Sequence, residues 1–456
     1  MIVSVAFVQK SFRPVLVTLL QYLCLFALLP FAHSSVGSHQ PAYEDELLPD
    51  AIISLRGENR PRYAIVVEKE TQKLMLYEGG SVLRKKYSFP CSTGQGNGKK
   101  KRSGDRKTPE GVYFFTKAFK KRELSPIYGN RAFVIDYPNF IDNKSKRDGN
   151  NIWLHGSNKP IKPRNSNGCV VMNNSDLEKV AKYIRLNETP IIITQKLNMV
   201  RSQDQIADYR SLVDFLEKWK AAFVSGDRSR YRACYTEPLT VQDLLWKTWD
   251  ELRPRWEQDH VSFNLTLENI SLLRANPYVV AIFDEVIHMD HHVRNVGTKK
   301  LFIARDGETW KILGEVYQSA KPDRIPGSLL AKAITSMDRL YRDRKSIAEL
   351  VGKWVDAWSS KDIDRYRRCY AKDFHARGMD LDAWISYKSR LNRRYSSIEV
   401  AVEDLRIRQR SDRATATFLQ RYRSSGYRSV GMKTLHLKRI GGTWKIHREK
   451  WYETRQ

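Results

Sequence analysis

The stretch from Trp153 to Asn174 reads WLHGSNKPIKPRNSNGCVVMNN. Its apolar start predicts a short buried strand that ends at His155, and the run from Val170 to Met172 predicts a second strand directly after Cys169. Between them lies a loop rich in Pro, Lys, Asn and Ser, a kind of segment that often displays functional side chains. The stretch therefore predicts two strands that carry a histidine and a cysteine at the two ends of one loop.

Cys169 and His155 are a candidate nucleophile and base. A free thiol has a pKa of about 8.5 and is mostly protonated at neutral pH, so a nucleophilic cysteine needs a base or a cation beside it. A cysteine directly after a glycine at the mouth of a strand would present its main-chain amide to an oxyanion. A single cysteine and a single histidine are more often core residues, but Gly156 and Gly168 favour the catalytic interpretation.

The pattern His-Gly, followed by Ser-x-Gly-Cys-Val, resembles the L,D-transpeptidase (YkuD-type) catalytic domain of bacterial cell-wall enzymes. Upstream segments agree with that family in the same order: an opening hairpin at 64–77, Ser-Thr-Gly at 92–94 and Thr-Pro-Glu-Gly at 108–111. The ordered matches extend over residues 61–196. This resemblance implies a mainly β catalytic domain, a sandwich or barrel of strands with one or two helices.

The resemblance also implies a reaction. In that family the cysteine attacks the carbonyl of the diamino-acid residue in a peptidoglycan stem peptide, expels D-alanine and forms a thioester. Carried over by position, Cys169 is the nucleophile, His155 is its base, and Gly168 and Cys169 supply main-chain donors to the oxyanion. No metal or cofactor is implied. Asn167 and Val171 depart from the family, which often has His at the first position and Arg or Asn at the second, so the acceptor is left open.

The loop between the histidine and the cysteine supplies the candidate substrate contacts. A basic cluster would receive the carboxylates of the stem peptide, and it consists of Lys159, Lys162 and Arg164. Further candidate contacts lie next to the catalytic pair, at Gly156, Ser166 and Asn167. A second basic segment, residues 94–108, is interpreted equally well as a lip over the site or as a solvated loop.

Composition indicates a globular protein, and the N-terminal segment indicates export. The 456 residues allow two to four domains, and Lys plus Arg exceed Asp plus Glu by 79 to 51. A net charge of +28 creates a positive electrostatic field, which favours polyanionic partners. Lys10 and Arg13 precede a largely apolar run, 15–32, so residues 1–34 are interpreted as a signal sequence or, uncleaved, as a membrane anchor. Export argues against nucleic acid and favours the anionic cell wall, in the periplasm or elsewhere in the envelope.

Five cysteines are present, and four of them follow the signal segment. Export would permit disulfides. A framework is not expected, because Cys234 and Cys369 occupy the same position of two repeats and Cys169 is needed as a free thiol. A bond between Cys91 and Cys169 would be an inactivating or regulatory state.

Residues 35–60 are interpreted as a linker, and residues 61–196 as a domain of short strands with one helix. The helix is predicted at 175–186, with Ser175 and Glu178 in a capping box. The strands are predicted at 64–67, 74–77, 87–89, 112–115, 132–135, 152–154 and 190–194.

An internal repeat occupies the rest of the chain. Lys218-Trp219 returns as Lys353-Trp354 at an offset of 354 − 219 = 135, and Thr309-Trp310-Lys311-Ile312 returns at residues 443–446. Each copy predicts a long helix, a short helix and then a hairpin-rich sheet. This layout resembles the NTF2-like (SnoaL-like) cone fold, which is α+β, with copies at 205–322 and 345–456 joined by a linker at 323–344. The resemblance implies a pocket or an association surface. A ligand, a protein partner and self-association therefore remain alternatives, and Trp219, Trp354 and Trp358 are either pocket lining or aromatic core.

Three functions follow from these patterns. The first is an L,D-transpeptidase that passes the acyl group to an amine, and it is preferred because that is the usual activity of the family. The second is an L,D-carboxypeptidase, in which water resolves the thioester and the tetrapeptide stem becomes a tripeptide. The third belongs to another class, a non-catalytic scaffold whose basic repeats bind the wall. A metal site at His288, Asp290 and His292 is weaker than a polar strand surface, since the second copy has no matching cluster.

Overall fold

The structure is a computed structural model, and it describes residues 47–55, 62–80, 82–237, 241–318 and 326–454. The segment predicted as a signal sequence or anchor lies outside the described residues. Within these ranges no helix has both the length and the apolar character that a membrane crossing requires.

The N-terminal part of the described chain is built around one eight-stranded sheet. In chain order its elements are β1 (Leu47–Pro49), β2 (Ile52–Leu55), β3 (Arg62–Glu68), β4 (Lys73–Gly79), β5 (Arg84–Pro90), β6 (Gly111–Lys120), β7 (Arg131–Ile135), α1 (Phe140–Lys144), β8 (Trp153–His155), β9 (Val170–Val171), α2 (Asn174–Ala181), β10 (Pro190–Thr194) and β11 (Met199–Arg201). The sheet has the order β5-β4-β3-β10-β6-β7-β8-β9. Each strand predicted between residues 64 and 194 lies in this sheet, so the mainly β prediction for this region is confirmed.

The central strands of this sheet are buried on both faces. On β3, Ile65 and Val67 pack into one core, while the alternate residues Ala64 and Val66 pack into another. The second core also contains Leu273 and other side chains of the first repeat. Both faces are therefore apolar because a second sheet covers the face that would otherwise meet solvent.

The first repeat contains three helices and a sheet. Its elements are α3 (Ser202–Ser225), α4 (Arg228–Ala233), α5 (Val241–Gln258), β12 (Phe263–Ala275), β13 (Tyr278–Met289), β14 (His292–Asp306) and β15 (Thr309–Tyr317). The sheet has the order β15-β14-β13-β12-β2. Its last strand comes from the segment predicted as a linker, and all four residues of β2 are buried. The linker prediction is wrong at β1 and β2, because β1 pairs with β11 and the apolar residues of β2 complete the edge of this sheet.

The second repeat has the same layout. Its elements are α6 (Pro326–Ser359), α7 (Ile363–Arg368), β16 (Tyr370–His375), α8 (Leu381–Arg394), β17 (Ile398–Arg410), β18 (Arg413–Ser424), β19 (Tyr427–Ile440) and β20 (Thr443–Glu453). The sheet has the order β16-β20-β19-β18-β17. The long helix, the short helix and the antiparallel strands were predicted for both copies, whereas α5, α8 and the parallel pairing of β16 with β20 were not.

Helix α6 belongs to both repeats. It is 34 residues long. Its first half packs Leu330, Ile334 and Met337 into the core of the first repeat, and its second half packs Val351 and Trp354 into the core of the second. The linker predicted at 323–344 is therefore wrong from Pro326 onward, because both cores bury the apolar stripe of one continuous helix.

The helix predicted at 175–186 is shorter than expected. Helix α2 ends at Ala181, and its N-cap is Asn173 rather than Ser175. Glu178 forms an ion pair with Arg131 at 2.7 Å and does not cap the helix. The capping-box prediction is wrong, since a strand residue on β7 competes successfully for the glutamate.

The tryptophans that the sequence left as either pocket lining or aromatic core lie mostly in the core. Trp219 and Trp354 are fully buried at equivalent positions. Trp219 Nε1 donates to Tyr235 Oη at 3.0 Å, and Trp354 Nε1 donates to Tyr370 Oη at 2.7 Å. In each repeat, one buried hydrogen bond thus joins the long helix to the tyrosine that follows the short helix.

Candidate active site

Two neighbouring strands position the histidine and the cysteine. β8 and β9 are parallel, with Leu154 opposite Val170 and His155 opposite Val171. Leu154 and Val170 are buried, which anchors both strand ends in the core. Cys169 directly precedes β9, so it lies one strand over from His155 and two residues back in the register. Since residues two apart share a face of a strand, this register is compatible with the predicted contact between ring and sulfur, and that contact stays a prediction.

The imidazole of His155 is held in one orientation. Its Nδ1 lies 2.7 Å from the carbonyl oxygen of Gly156, and the ring of Tyr128 meets it edge-on at 5.0 Å. The ring is 8% exposed, and this burial lowers the pKa of His155. We assign the proton to Nδ1 because a carbonyl oxygen can only accept, which leaves Nε2 as the basic nitrogen. The ring is therefore a neutral base near pH 7.

The thiol of Cys169 is not ionised at rest. Burial raises the pKa of Cys169, although a hydrogen bond from the main-chain N–H of Trp153 and the charge of Lys100 partly offset it. The sulfur lies 3.6 Å from the carbonyl oxygen of Asn151, to which the thiol donates. A protonated thiol with a neutral imidazole as its partner would require general-base activation rather than a preformed ion pair.

The turn before the cysteine is closed by its own side chains. Ser166 Oγ donates to the carbonyl of Cys169 at 2.6 Å and accepts the N–H of Gly168 at 3.1 Å. Gly168 has φ +127, and a Cβ there would lie 3.0 Å from the carbonyl oxygen of Lys107. Only glycine fits this position without strain.

This turn corrects the predicted oxyanion donors. The N–H of Gly168 is already bonded to Ser166, so the prediction that it is a free donor is wrong for this conformation. The main-chain N–H of Cys169 has no hydrogen-bond acceptor within the described part of the chain. It remains the candidate donor to an oxyanion on the attacked carbonyl.

Gly156 and Ser166, predicted as substrate contacts, have structural roles. A Cβ on Gly156 would lie 2.1 Å from Oδ1 of Asn174, so glycine permits the close approach of helix α2. The carbonyl of Gly156 also orients His155. Ser166 is bonded within its turn as described above. Both residues shape the site and neither has a free group aimed at a ligand.

The other predicted contacts lie on the exposed side of the loop. Asn167, Lys159 and Lys162 are exposed. Arg164 is bound to the second basic segment through its guanidinium, which donates to Asn97. Its main-chain N–H donates to Gln72 Oε1 at 2.9 Å. Substrate binding by these four residues stays a prediction.

Lys100 is a functional candidate that the sequence analysis did not single out. It is only 3% exposed and pairs with Asp105 at 2.7 Å. Burial raises the pKa of Asp105, but Lys100 and three main-chain N–H groups lower it to about 2. Segment 94–108 is thus folded on an internal ion pair and is not a fully solvated loop. The sequence feature that could have indicated this ion pair is Asp105, the one acidic residue in the basic segment 94–108.

Thr108 connects this segment to the cysteine turn, and Lys69 holds the segment in place. Thr108 Oγ1 donates to the carbonyl of Gly168 at 2.9 Å and accepts the N–H of Gly94 at 2.8 Å. Lys69 Nζ binds Glu110 at 2.9 Å and the carbonyl of Gly98 at 2.8 Å. Buried polar contacts therefore support the turn that presents the thiol.

Among the described residues, no three His, Cys, Asp or Glu side chains come together as metal ligands would.

All four cysteines of the described chain are free thiols, Cys91 and Cys169 included. Burial raises the pKa of Cys91 to about 12. A thiol with that pKa is a poor partner for exchange at neutral pH.

Comparison with known proteins identifies two regions. Residues 62–193 match the family model described as the L,D-transpeptidase catalytic domain (YkuD), and residues 346–450 match the model of the Cds6 C-terminal NTF2-like domain. No curated protein matches the chain.

The chain also matches solved structures from several bacteria. Bd1075 of Bdellovibrio bacteriovorus is 23% identical, with 90% of this chain and 100% of that chain covered and a TM-score of 0.31. The helical cell shape determining protein Pgp2 of Campylobacter jejuni is 18% identical, with 87% and 94% covered and a TM-score of 0.30. An NTF2-like protein of unknown function from Pseudomonas putida is 20% identical over 25% of this chain and 86% of its own, with a TM-score of 0.23. On the two family models, the chain carries an L,D-transpeptidase (YkuD) catalytic domain at residues 62–193 and an NTF2-like domain at residues 346–450.

Proposed function

We propose that this protein is an exported peptidoglycan-remodelling enzyme that acts as an L,D-transpeptidase through a thioester on Cys169. The observation that carries the proposal is the hydrogen bond between His155 Nδ1 and the carbonyl of Gly156. It leaves Nε2 as the basic nitrogen of a neutral ring on the strand next to the thiol. A neutral base and a protonated thiol are the starting state that general-base acyl transfer needs.

The first half-reaction acylates the enzyme. Nε2 of His155 takes the thiol proton as the sulfur of Cys169 attacks the carbonyl carbon of the stem peptide. The main-chain N–H of Cys169 donates to the resulting oxyanion. The tetrahedral intermediate then collapses, the C–N bond breaks, and the imidazolium gives its proton to the departing D-alanine. The products are a thioester and a free amino acid, and the imidazole is neutral again.

The second half-reaction releases the acyl group to an amine. The same imidazole takes a proton from the incoming amine as its nitrogen attacks the thioester carbonyl. The C–S bond breaks, and the thiolate of Cys169 regains its proton from the imidazolium. An amide bond replaces the one that was broken, so the reaction needs no external energy source.

Hydrolysis is the second candidate, and one position favours it. Val171 is opposite His155 in the register, so the residue beside the base is apolar. A polar side chain there would help to hold an acceptor amine, whereas a water molecule needs less support. With water as the acceptor, the enzyme is an L,D-carboxypeptidase that trims tetrapeptide stems to tripeptides.

Export and wall binding belong to the same proposal. The apolar run at 15–32 and the net charge of +28 support a protein that is sent to the envelope and is attracted to its anionic polymer. If the catalytic domain were inactive, this attraction would leave a wall-binding scaffold as the function.

Mass spectrometry of muropeptides tests the three functions together. Purified tetrapeptide muropeptides are incubated with wild type and with Cys169→Ala, each with and without an added D-amino acid as acceptor. Exchange of the terminal residue for the added amine supports the transpeptidase, and a tripeptide product in both conditions supports the carboxypeptidase.

The matched control is Cys234→Ala, which removes another partly exposed thiol from a helix end outside the catalytic domain. It is expected to retain full activity. Identical product profiles from wild type and Cys169→Ala would exclude both enzymatic functions and leave the scaffold.

A further inference from the structure

One face of the sheet in the first repeat is a docking surface. Leu273, Val280 and Phe302 lie on that face and pack with the sheet of the catalytic domain in a shared core. The alternate residues, Leu272 and Ala281 among them, pack with helix α3 in the core of the repeat itself. We call the first of these the outer face, and in the first repeat it is apolar because the catalytic domain covers it.

The outer face of the second repeat has the same register but different side chains. The row Leu273, Val280 and Phe302 of the first repeat corresponds to the row Arg408, Thr415 and His436 of the second, paired strand by strand in the same way. The alternate residues Ala414 and Ala416 pack in the core of the repeat, so the row points outward. Polar side chains thus replace the apolar contacts that hold the catalytic domain on the first repeat.

Cations are concentrated on this outer face. One row crosses the four strands from β17 to β20, each residue paired with the next, and consists of Arg410, Arg413, Lys438 and Lys445. A depression of about 460 Å³ lies on the face, and its lining includes Arg408, Arg410, Arg413, Arg448 and Lys450. Like charges directly opposite each other destabilise a sheet, so folding alone does not explain the row.

Three arginines of this face have no counter-ion. Arg408, Arg410 and Arg413 are exposed, and none of them makes an ion pair with a residue that the structure describes. Lys438 is paired, with Asp373 on the edge strand β16. The outer face of the second repeat therefore carries an excess of positive charge.

This excess charge is complementary to a polyanion. Its effect is seen at His436, where burial lowers the pKa and the charges of Lys450 and Arg448 lower it further. The planar guanidinium of arginine binds a carboxylate through two parallel N–H donors. A positive face attracts polyanions and repels a second copy of itself. The depression favours a polymer with acidic side groups over the flat surface of a bilayer.

We infer that the outer face of the second repeat binds the peptidoglycan wall, through contacts of Arg408, Arg410 and Arg413 with the carboxylates of its stem peptides. The inference rests on the proposed function, because it takes the polymeric substrate of that function as the partner. The same face of the fold then has two occupants in one chain, the catalytic domain on the first repeat and the wall on the second. The contact holds the enzyme on the polymer, and a soluble muropeptide does not need it to reach Cys169.

Co-sedimentation with purified sacculi tests the inference, with the full chain carrying Cys169→Ala so that the wall is not processed. Three probes are compared: native sacculi, sacculi whose carboxyl groups have been converted to amides, and phosphatidylglycerol vesicles. We expect binding to native sacculi that falls with added salt, and little binding to the amidated ones. Arg408→Gln, Arg410→Gln and Arg413→Gln combined should weaken binding to native sacculi about tenfold or more, because three charge-assisted contacts are lost.

The matched control removes the same charge from the other side of the repeat. It combines Arg390→Gln, Arg393→Gln and Arg394→Gln on α8, a helix that packs in the core on the opposite face of the sheet. This control should bind native sacculi as the unchanged background does.

Arg413→Glu gives a sharper result. It places an anion between Arg410 and Lys438 in the register, so unlike pairs replace like ones. The thermal midpoint should rise while binding to native sacculi falls, which separates loss of binding from loss of folding.

Four outcomes would overturn the inference. They are no binding to native sacculi, equal binding to native and amidated sacculi, equal loss of binding in the α8 control, and dependence on the three arginines for vesicles but not for sacculi. The proposed function is tested separately, because the triple variant with Cys169 restored should process soluble muropeptides at the wild-type rate. If neither protein processes muropeptides while native sacculi still bind through the three arginines, the catalytic proposal fails and the wall-binding surface remains.

Discussion

Thr108 is the residue whose replacement tests the support of the catalytic turn most directly. Its hydroxyl makes two buried hydrogen bonds, to the carbonyl of Gly168 and from the N–H of Gly94. Thr108→Val keeps the volume but leaves both groups unsatisfied, at about 1–3 kcal/mol each. Thr108→Ser keeps the hydroxyl and loses one methyl group, which costs about 1 kcal/mol. The structure therefore predicts that Val is worse than Ser, although Val is the better shape and the more apolar side chain.

Hydrogen exchange at Gly94 measures this difference, because its N–H is one of the two affected groups. A loss of about 1–3 kcal/mol in the local opening free energy speeds exchange roughly 5- to 150-fold. Alkylation of Cys169 by iodoacetamide reports the second effect, since the carbonyl of Gly168 is then free to move. If Thr108→Val protects Gly94 as well as wild type does, or better than Thr108→Ser, apolar packing rather than the hydroxyl supports the turn and the reasoning fails.

Three further predictions concern the catalytic pair. His155→Gln should slow thioester formation by about 100-fold or more, as measured by mass spectrometry of the acyl-enzyme, whereas the exposed His375→Gln should not. Because burial lowers the pKa of His155, the base stays neutral to a lower pH than usual, so kcat/KM should fall on the acid side with an apparent pKa below 6.5; a midpoint above that value would contradict the burial argument. Lys100→Met should raise the pKa of the Cys169 thiol in an alkylation profile, since a positive charge that lowers this pKa is removed. Lys101→Met, an exposed neighbour on the same segment, should leave that profile unchanged.

The sequence predicted those features of the site that depend only on neighbouring residues in the chain. His155 at a strand end, Cys169 directly before a strand and the glycine between loop and nucleophile all follow from neighbouring residue types. The state of the Gly168 amide did not follow, because Ser166 can bond either to a ligand or within its own turn. Lys100 was also missed, since a lysine in a basic loop is usually solvated, and only tertiary packing buries it against Asp105.

The fold shows the same division. Alternating and continuous apolar runs predicted the strands, and the repeated Trp and Tyr positions predicted two copies of one layout. The boundaries failed where an element belongs to a distant partner. β2 is a strand only because β12 offers an edge at Ser271 to Leu273, and the segment at 326–344 is helical and continuous because two cores bury one stripe of α6.

The sequence by itself determined the chemistry that is available, a thiol and an imidazole in the order of the L,D-transpeptidase family, and the existence of a repeat. The tertiary structure alone decided which charges are buried and which are paired. Lys299 and Lys433 look alike in sequence, but Lys299 pairs with both Glu285 and Glu315, whereas Lys433 pairs with Glu449 and has Gln420 at the position of the second acid. The reason is that desolvation and pairing depend on side chains brought together from different strands and helices, and no local pattern records which of them meet.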